Sequence, residues 1–202
     1  MHSPFIVFLL SQADQAATDP GGFMLLTISE LLPADDVNEV RALARTLTWT
    51  DGVRTAGPSA AEVKHNEQAE LTTDVGRVVH ARLQQVVRDH PVIRAAARPR
   101  KLSALLLSRT GPGGGYGAHV DNAMMGRGAD RLRTDLSFTL FLSDPGTYDG
   151  GELEIDRPGM VQSFKPDAGD LVLYPTSSVH RVAPVTRGER LACIGWIQSL
   201  VP

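Results

Sequence analysis

Two hydrophobic patterns divide this chain. Between residues 31 and 90 apolar positions recur at helical spacing, whereas beyond residue 101 short β-rich runs alternate with glycine, proline and aspartate. Leu31-Leu32-Pro33-Ala34-Asp35-Asp36 has the proline and the acidic residues that favour a helix's first turn. Val37, Val40, Ala44 and Leu47 follow at helical intervals, so one face of this helix packs inward. A second helix is predicted through Leu71, Val75, Val78, Val79, Leu83, Val86 and Val87, ending before Pro91. The polar stretch 51–68 between them reads as a loop with a short strand.

After Lys101 the pattern predicts strands at 102–108, 116–121, 136–143, 152–155, 161–164, 171–174, 179–185 and 191–198. Turn residues fence them, among them Gly111–Gly115, Asp149–Gly151 and Thr186–Gly188. Short strands with turn signals this close together point to a sandwich or barrel. Their number suits a jelly roll, whose paired sheets enclose a site. The fold class expected is mainly β with flanking α, the jelly roll buttressed by N-terminal helices. With Thr186-Arg187-Gly188-Glu189 as a hairpin turn, the last two runs are expected to be antiparallel neighbours.

Composition narrows the picture only a little. The 202 residues are 42% hydrophobic and 21% charged, as in a soluble globular domain. A formal charge of −3 gives no general reason to expect nucleic acid or an anionic membrane as partner. The lone Cys193 excludes an intrachain disulfide and a multi-cysteine zinc site, so a cytoplasmic setting is expected. Phe5 to Leu10 is too short to span a bilayer and lacks a basic flank. Residues 1–23 are therefore expected to be a disordered leader or a misassigned start, with the working domain at 24–202.

The chemistry concentrates at His119 and Asp121, with His180 well downstream. Residues i and i+2 of a strand share a face, so His119 and Asp121 point the same way if a strand carries both. A second imidazole from a neighbouring strand completes the two-histidine, one-carboxylate set that suits Fe(II) with open positions. His-x-Asp alone is a common surface pair; its setting gives it weight. Arg190 opens the last strand, on the same phase as Ala192, Ile194 and Trp196. An inward arginine needs a compensating anion, either an acidic side chain or a bound carboxylate. Arg181 and Arg187 fall on the outward phase and in the turn, Glu152 reads as structural, and His65, His80 and His90 are poor ligand candidates, His80 and His90 being assigned exposed or capping roles.

Together with the closing Trp196-Ile-Gln-Ser199, these strings resemble a known family: Tyr116-Gly-Ala-His-Val-Asp-Asn122, Tyr148-Asp-Gly-Gly-Glu-Leu153, Ala168-Gly-Asp-Leu-Val-Leu-Tyr-Pro175 and His180-Arg-Val-Ala-Pro-Val-Thr-Arg-Gly-Glu-Arg190. They are similar to the bacterial PKHD-type hydroxylases, Fe(II)- and 2-oxoglutarate-dependent dioxygenases related to prolyl 4-hydroxylases. The resemblance spans roughly residues 24 to 200. It implies a double-stranded β-helix, with His119, Asp121 and His180 as iron ligands and Arg190 as the 2-oxoglutarate-binding arginine. It implies O2 as oxidant, L-ascorbate dependence, and hydroxylation of an unactivated C–H coupled to formation of succinate and CO2. Asp121 favours hydroxylation over halogenation, because related halogenases have a small residue there. The substrate is left open between a prolyl residue of a peptide or protein and a small molecule.

Two departures stand out. Thr110 occupies the place where related hydroxylases often carry a cosubstrate-holding tyrosine, which makes Thr110 and Tyr116 candidate cosubstrate contacts. Related chains also often continue past the position of Pro202 in a helical segment, which bears on a substrate lid and on homo-oligomer formation. The alternative reading is a non-catalytic jelly roll that binds or senses iron. It keeps the three ligands and leaves Arg190 without a purpose.

Overall fold

The computed structural model describes residues 16–18, 24–55, 63–128 and 131–201. The chain passes through β1 (Ala16–Thr18), β2 (Met24–Ile28), α1 (Ala34–Ala44) and β3 (Trp49–Asp51). A 3-10 turn (Gly52–Thr55), β4 (Lys64–His65), β5 (Glu67–Ala69), α2 (Asp74–Asp89) and α3 (Pro91–Ala96) follow. Apart from a 3-10 turn at Pro145–Thr147 the rest is β: β6 (Pro99–Leu102), β7 (Leu106–Thr110), β8 (Gly115–His119), β9 (Met124–Met125), β10 (Leu132–Arg133) and β11 (Leu136–Phe141). It closes with β12 (Leu153–Arg157), β13 (Met160–Phe164), β14 (Leu171–Pro175), β15 (His180–Val182) and β16 (Arg190–Ser199). Of the stretch expected as a leader, Ala16–Thr18 pairs antiparallel with β2. The apolar run at 5–10 lies outside the described residues.

The larger sheet has the order β1-β2-β14-β11-β16-β7-β5-β3, with β6 also on β16; the smaller has the order β13-β12-β15-β8-β4, and β9 and β10 form a separate two-stranded ribbon. Alternation along the central strands shows why they stack. On β11, Leu136, Phe138 and Leu140 join the cluster of Val40, Val79, Leu83 and Ile93 from the helices. Phe141, on the opposite phase, packs with Leu153 and Ile155 of the smaller sheet. Leu171 and Leu173 of β14 likewise face the helices, and Val172 and Tyr174 face the smaller sheet. Each sheet thus supplies one wall of a sandwich, and the helices cover the larger sheet's outer face. This is the expected jelly roll with flanking helices.

Several local expectations change. Pro33 is the N-cap of α1 rather than part of its first turn. α2 buries Gly76, Val79, Leu83 and Val87, while Val75 and Val78 stay exposed because one helical stripe is enough to meet the sheet. Thr73 caps α2, its hydroxyl accepting from Gly76 N at 3.1 Å, a bond of the kind worth about 1 kcal/mol. His80 is neither exposed nor a cap: half-buried, its Nε2 accepts the Leu105 backbone N–H at 3.2 Å. The stretch 51–68 holds β3, β4 and β5, with 56–62 outside the described residues.

The predicted pairing of the last two strands does not occur. β15 lies between β12 and β8 in the smaller sheet, and β16 between β11 and β7 in the larger. The segment 183–189 crosses from one sheet to the other. Asp149 holds the crossing: its N–H donates to the Arg187 carbonyl at 2.9 Å and its carboxylate pairs with the Arg187 guanidinium. Gly150 (φ +74°) fits against it, since a Cβ there would sit 2.0 Å from the Pro184 carbonyl oxygen. A turn motif between two apolar runs signals a reversal of the chain, but not which sheet receives the second run.

Candidate active site

His119 stands directly opposite His180 in the β8–β15 pairing. This register brings two imidazoles from distant points of the chain to a ring-centroid separation of 4.3 Å. Asp121 is not on the strand as expected, since β8 ends at His119. The chain leaves the sheet there, and the carboxylate still meets both rings: Oδ1 lies 3.7 Å from His119 Nε2 and Oδ2 lies 3.8 Å from His180 Nε2. Among the described residues these three offer ligand atoms within 4.8 Å of one another. Two imidazoles and a carboxylate grouped this closely are a donor set that suits one divalent ion.

The backbone fixes both tautomers. A carbonyl can only accept, so His119 Nδ1–H donates to Gly117 O (2.8 Å) and His180 Nδ1–H to Ser178 O (3.1 Å). Each Nε2 is left with a lone pair facing Asp121, the form a metal requires. Burial, with His180 next in weight, lowers the pKa of His119 and so favours its neutral form. Tyr116 stacks on His119 at 3.7 Å between centroids, and burial, then Asp121, pushes its phenol up to about 12.

Asp121 is itself held. Oδ2 accepts from Ser137 Oγ at 2.8 Å and from Trp196 Nε1 at 2.9 Å. Ser137 spends its one proton on the carboxylate, so Thr176 Oγ1 donates to Ser137 Oγ at 3.0 Å. Both anchors come from the larger sheet, and both histidines from the smaller.

Arg190 is 3% exposed and faces Thr110 across the β16–β7 pairing. Among the described residues its Nε and Nη2 have no hydrogen-bond partner, and its guanidinium carbon lies 5.1 Å from the Phe141 ring centroid. Burial pulls its pKa down, opposed by the nearby Tyr148, Tyr174 and Glu152. A buried cation with two unsatisfied donors is costly unless an anion meets it, and a carboxylate matches the guanidinium fork. Arg190, Thr110 and the three candidate ligands line one cavity of about 620 Å3. The other basic candidates stay apart: Arg181 pairs with Glu154 and Arg187 with Asp149, and Glu152 pairs with Lys165.

Some residues of this cavity, and Ser137 behind Asp121, escaped the sequence reading. Ser137 and Thr139 are polar positions of one phase within a buried strand, a legible signal that they face something polar. Lys64 is 5% exposed, with Nζ 5.3 Å from the Tyr116 centroid. Burial lowers its pKa against the pull of Asp121 and Asp51. A two-residue strand inside a polar loop gave no warning of it.

This fold and triad define a class, the iron- and 2-oxoglutarate-dependent oxygenases. Residues 105–198 match the family model described as "2OG-Fe(II) oxygenase superfamily". The chain belongs, more narrowly, to the PKHD-type hydroxylases: one from Hyphomonas neptunium is 50% identical over 88% of this chain and 79% of its own length. Solved structures share the fold at lower identity. A prolyl-4-hydroxylase of Pseudomonas putida has a TM-score of 0.60 at 22% identity, covering 87% of this chain and 92% of that one. A prolyl hydroxylase of Trichoplax adhaerens, in complex with a peptide fragment of the hypoxia inducible factor oxygen degradation domain, has a TM-score of 0.67 at 16% identity. That match covers 87% of this chain and 83% of that one. The protein is therefore an Fe(II)- and 2-oxoglutarate-dependent hydroxylase using O2, rather than the non-catalytic iron sensor considered above. No helix among the described residues is long and apolar enough to cross a membrane.

Proposed function

We propose that His119, Asp121 and His180 hold the Fe(II), and that Arg190 binds the far carboxylate of 2-oxoglutarate. The observation that carries this is the Arg190 guanidinium, buried with two unused donors in the same cavity as the triad. When bound, Fe(II) supplies the redox chemistry that splits 2-oxoglutarate into succinate and CO2 while one atom of O2 enters a substrate C–H bond.

The protein's own residues do the rest. His119 and His180 present unprotonated Nε2 atoms because their Nδ1 protons are committed to backbone carbonyls. Ser137 and Trp196 hold Asp121 Oδ2, which orients Oδ1 toward the ion. Arg190 orients the cosubstrate by a paired hydrogen bond, and the Thr110 hydroxyl stands across the strand pairing from it. Tyr116 supports the His119 ring by stacking. Phe141 and Tyr174, buried between the sheets, keep water from the arginine's flank.

The substrate proposed is a prolyl residue of a polypeptide, hydroxylated in the cytoplasm with ascorbate as supporting reductant. Its support is the family's relation to prolyl hydroxylases and the shared fold of a prolyl hydroxylase that takes a peptide.

Anaerobic titration of Fe(II)-loaded protein with 2-oxoglutarate tests the site. A visible charge-transfer band is expected in the wild type and lost in Arg190→Ala, while that variant still binds iron. His119→Ala is expected to lose the iron itself. Full iron occupancy in His119→Ala, or an undiminished band in Arg190→Ala, would overturn the assignment.

A further inference from the structure

A second groove of about 630 Å3 runs between α2 and β6, beside the active-site cavity. His80, Gln84 and Arg88 line it from one face of the helix, and Arg100 and Lys101 from the strand. Leu102, Leu132 and Ile197 give it an apolar lining. Ser103, Ala104 and Leu132 line both this groove and the active-site cavity, so the two adjoin. Ser103 is also one contact from the metal triad: its Oγ accepts the Trp196 N–H at 3.0 Å, and the Trp196 indole donates to Asp121.

The groove's charge runs against that of the molecule. Its described lining includes Arg88, Arg100 and Lys101, all exposed, and no acidic residue. From residue 88 to residue 101 the chain carries Arg88, Arg94, Arg98, Arg100 and Lys101 against Asp89 alone, although the whole chain is at −3. Such a local field attracts an anionic partner without making the protein a general polyanion binder.

Two features favour a polypeptide over a nucleic acid. Among the described strands β6 pairs with β16 alone, so its other edge offers main-chain groups that an extended peptide can meet. No Phe, Tyr or Trp is among the groove's described lining, which leaves bases no stacking platform. We propose that this groove docks an acidic flank of the polypeptide substrate, while the residue to be hydroxylated enters the adjoining cavity. The inference rests on the polypeptide-hydroxylase reading above and adds the chemistry by which the enzyme selects among polypeptides.

The test is fluorescence anisotropy of a labelled, proline-centred peptide with aspartate and glutamate flanks, against the same peptide with asparagine and glutamine flanks. The acidic peptide is expected to bind at least about tenfold more tightly at low salt, with the preference shrinking as salt screens it. The triple variant R88Q/R100Q/K101Q is expected to erase that preference, whereas R41Q/R45Q, at the end of α1, leaves it intact. Thermal unfolding of the triple variant checks that it is folded. Equal affinity for the two peptides, or an unchanged preference in the triple variant, overturns the groove; so does a single-stranded oligonucleotide that binds more tightly than the acidic peptide. Succinate release from 2-oxoglutarate by the wild type is measured in parallel. Its absence would count against the hydroxylase site, whatever the peptides do.

Discussion

At the scale of single residues, the feature with most consequence is Asp121's two-sided role. One oxygen is left for the proposed metal, and the other is tied to Ser137 and Trp196. Groups that orient a metal ligand in this way commonly carry a factor of ten to a hundred in metal affinity. Trp196→Phe keeps an aromatic ring at this position and deletes the N–H donor along with part of the indole. It is expected to weaken Fe(II) binding by about tenfold, read by competition with a chelator of known affinity, while far-UV circular dichroism stays the same. An unchanged affinity would mean that Ser137 alone fixes the carboxylate. The sequence showed His119, Asp121, His180 and Arg190 because their residue types and spacing carry chemistry. It placed Trp196 on the same phase as Arg190 but could not show the indole N–H meeting Asp121, 75 residues earlier in the chain.

At the scale of elements, α2 is pinned to the sheet by a side-chain hydrogen bond as well as by packing. His80 Nε2 accepts from Leu105 N, which requires an unprotonated ring. Burial lowers this histidine's pKa in the folded protein below its ordinary value of 6.5. The unfolded chain therefore takes up the proton first as pH falls. The stabilisation from neutral His80 is complete above about pH 6.5 and is lost progressively as pH drops from there toward the folded pKa. Denaturant midpoints measured across pH 5 to 7.5 are expected to fall on the acid side. His80→Gln, which keeps an acceptor and cannot titrate, is expected to flatten that part of the slope; an identical slope in the variant would rule His80 out as its source. Helical periodicity placed His80 on α2, and the exposed or capping role assigned to it missed that Leu105 passes close by.

At the scale of the whole molecule, the site joins the two walls of the sandwich. His119 and His180 belong to the smaller sheet; Arg190, Ser137 and Trp196 belong to the larger. A ligand that bridges them binds the folded state alone and raises stability by RT ln(1 + [L]/Kd), about 2.7 kcal/mol at a hundredfold excess over Kd. For a chain of this length that corresponds to a rise of several degrees in Tm. In differential scanning fluorimetry, Mn(II) is expected to stabilise the wild type and 2-oxoglutarate to add a further shift only when metal is present. Arg190→Ala should keep the metal shift and lose the cosubstrate increment, and His180→Ala should lose both. A cosubstrate shift that survives without metal would separate the two sites.

The sequence by itself determined the identity of the reactive groups and the alternation that makes strands two-faced. Phe138 and Leu140 fall on one phase of β11 and Ser137 and Thr139 on the other, so the residues bound for the core and for the site were separable before folding. Local rules also gave the helices and most strand positions, because periodicity and turn chemistry act over a few residues. Which sheet each strand joined was decided only in the folded molecule. Thr186–Glu189 reads as a hairpin turn locally, but the chain crosses between sheets there, because β15 meets β8 and β12 while β16 fills the gap between β11 and β7. That choice is non-local: it depends on burying both faces of β16 at once, a condition that no window of sequence contains. It also sets His180 opposite His119 and turns the Arg190 guanidinium toward the same cavity, giving four separate residues one shared site.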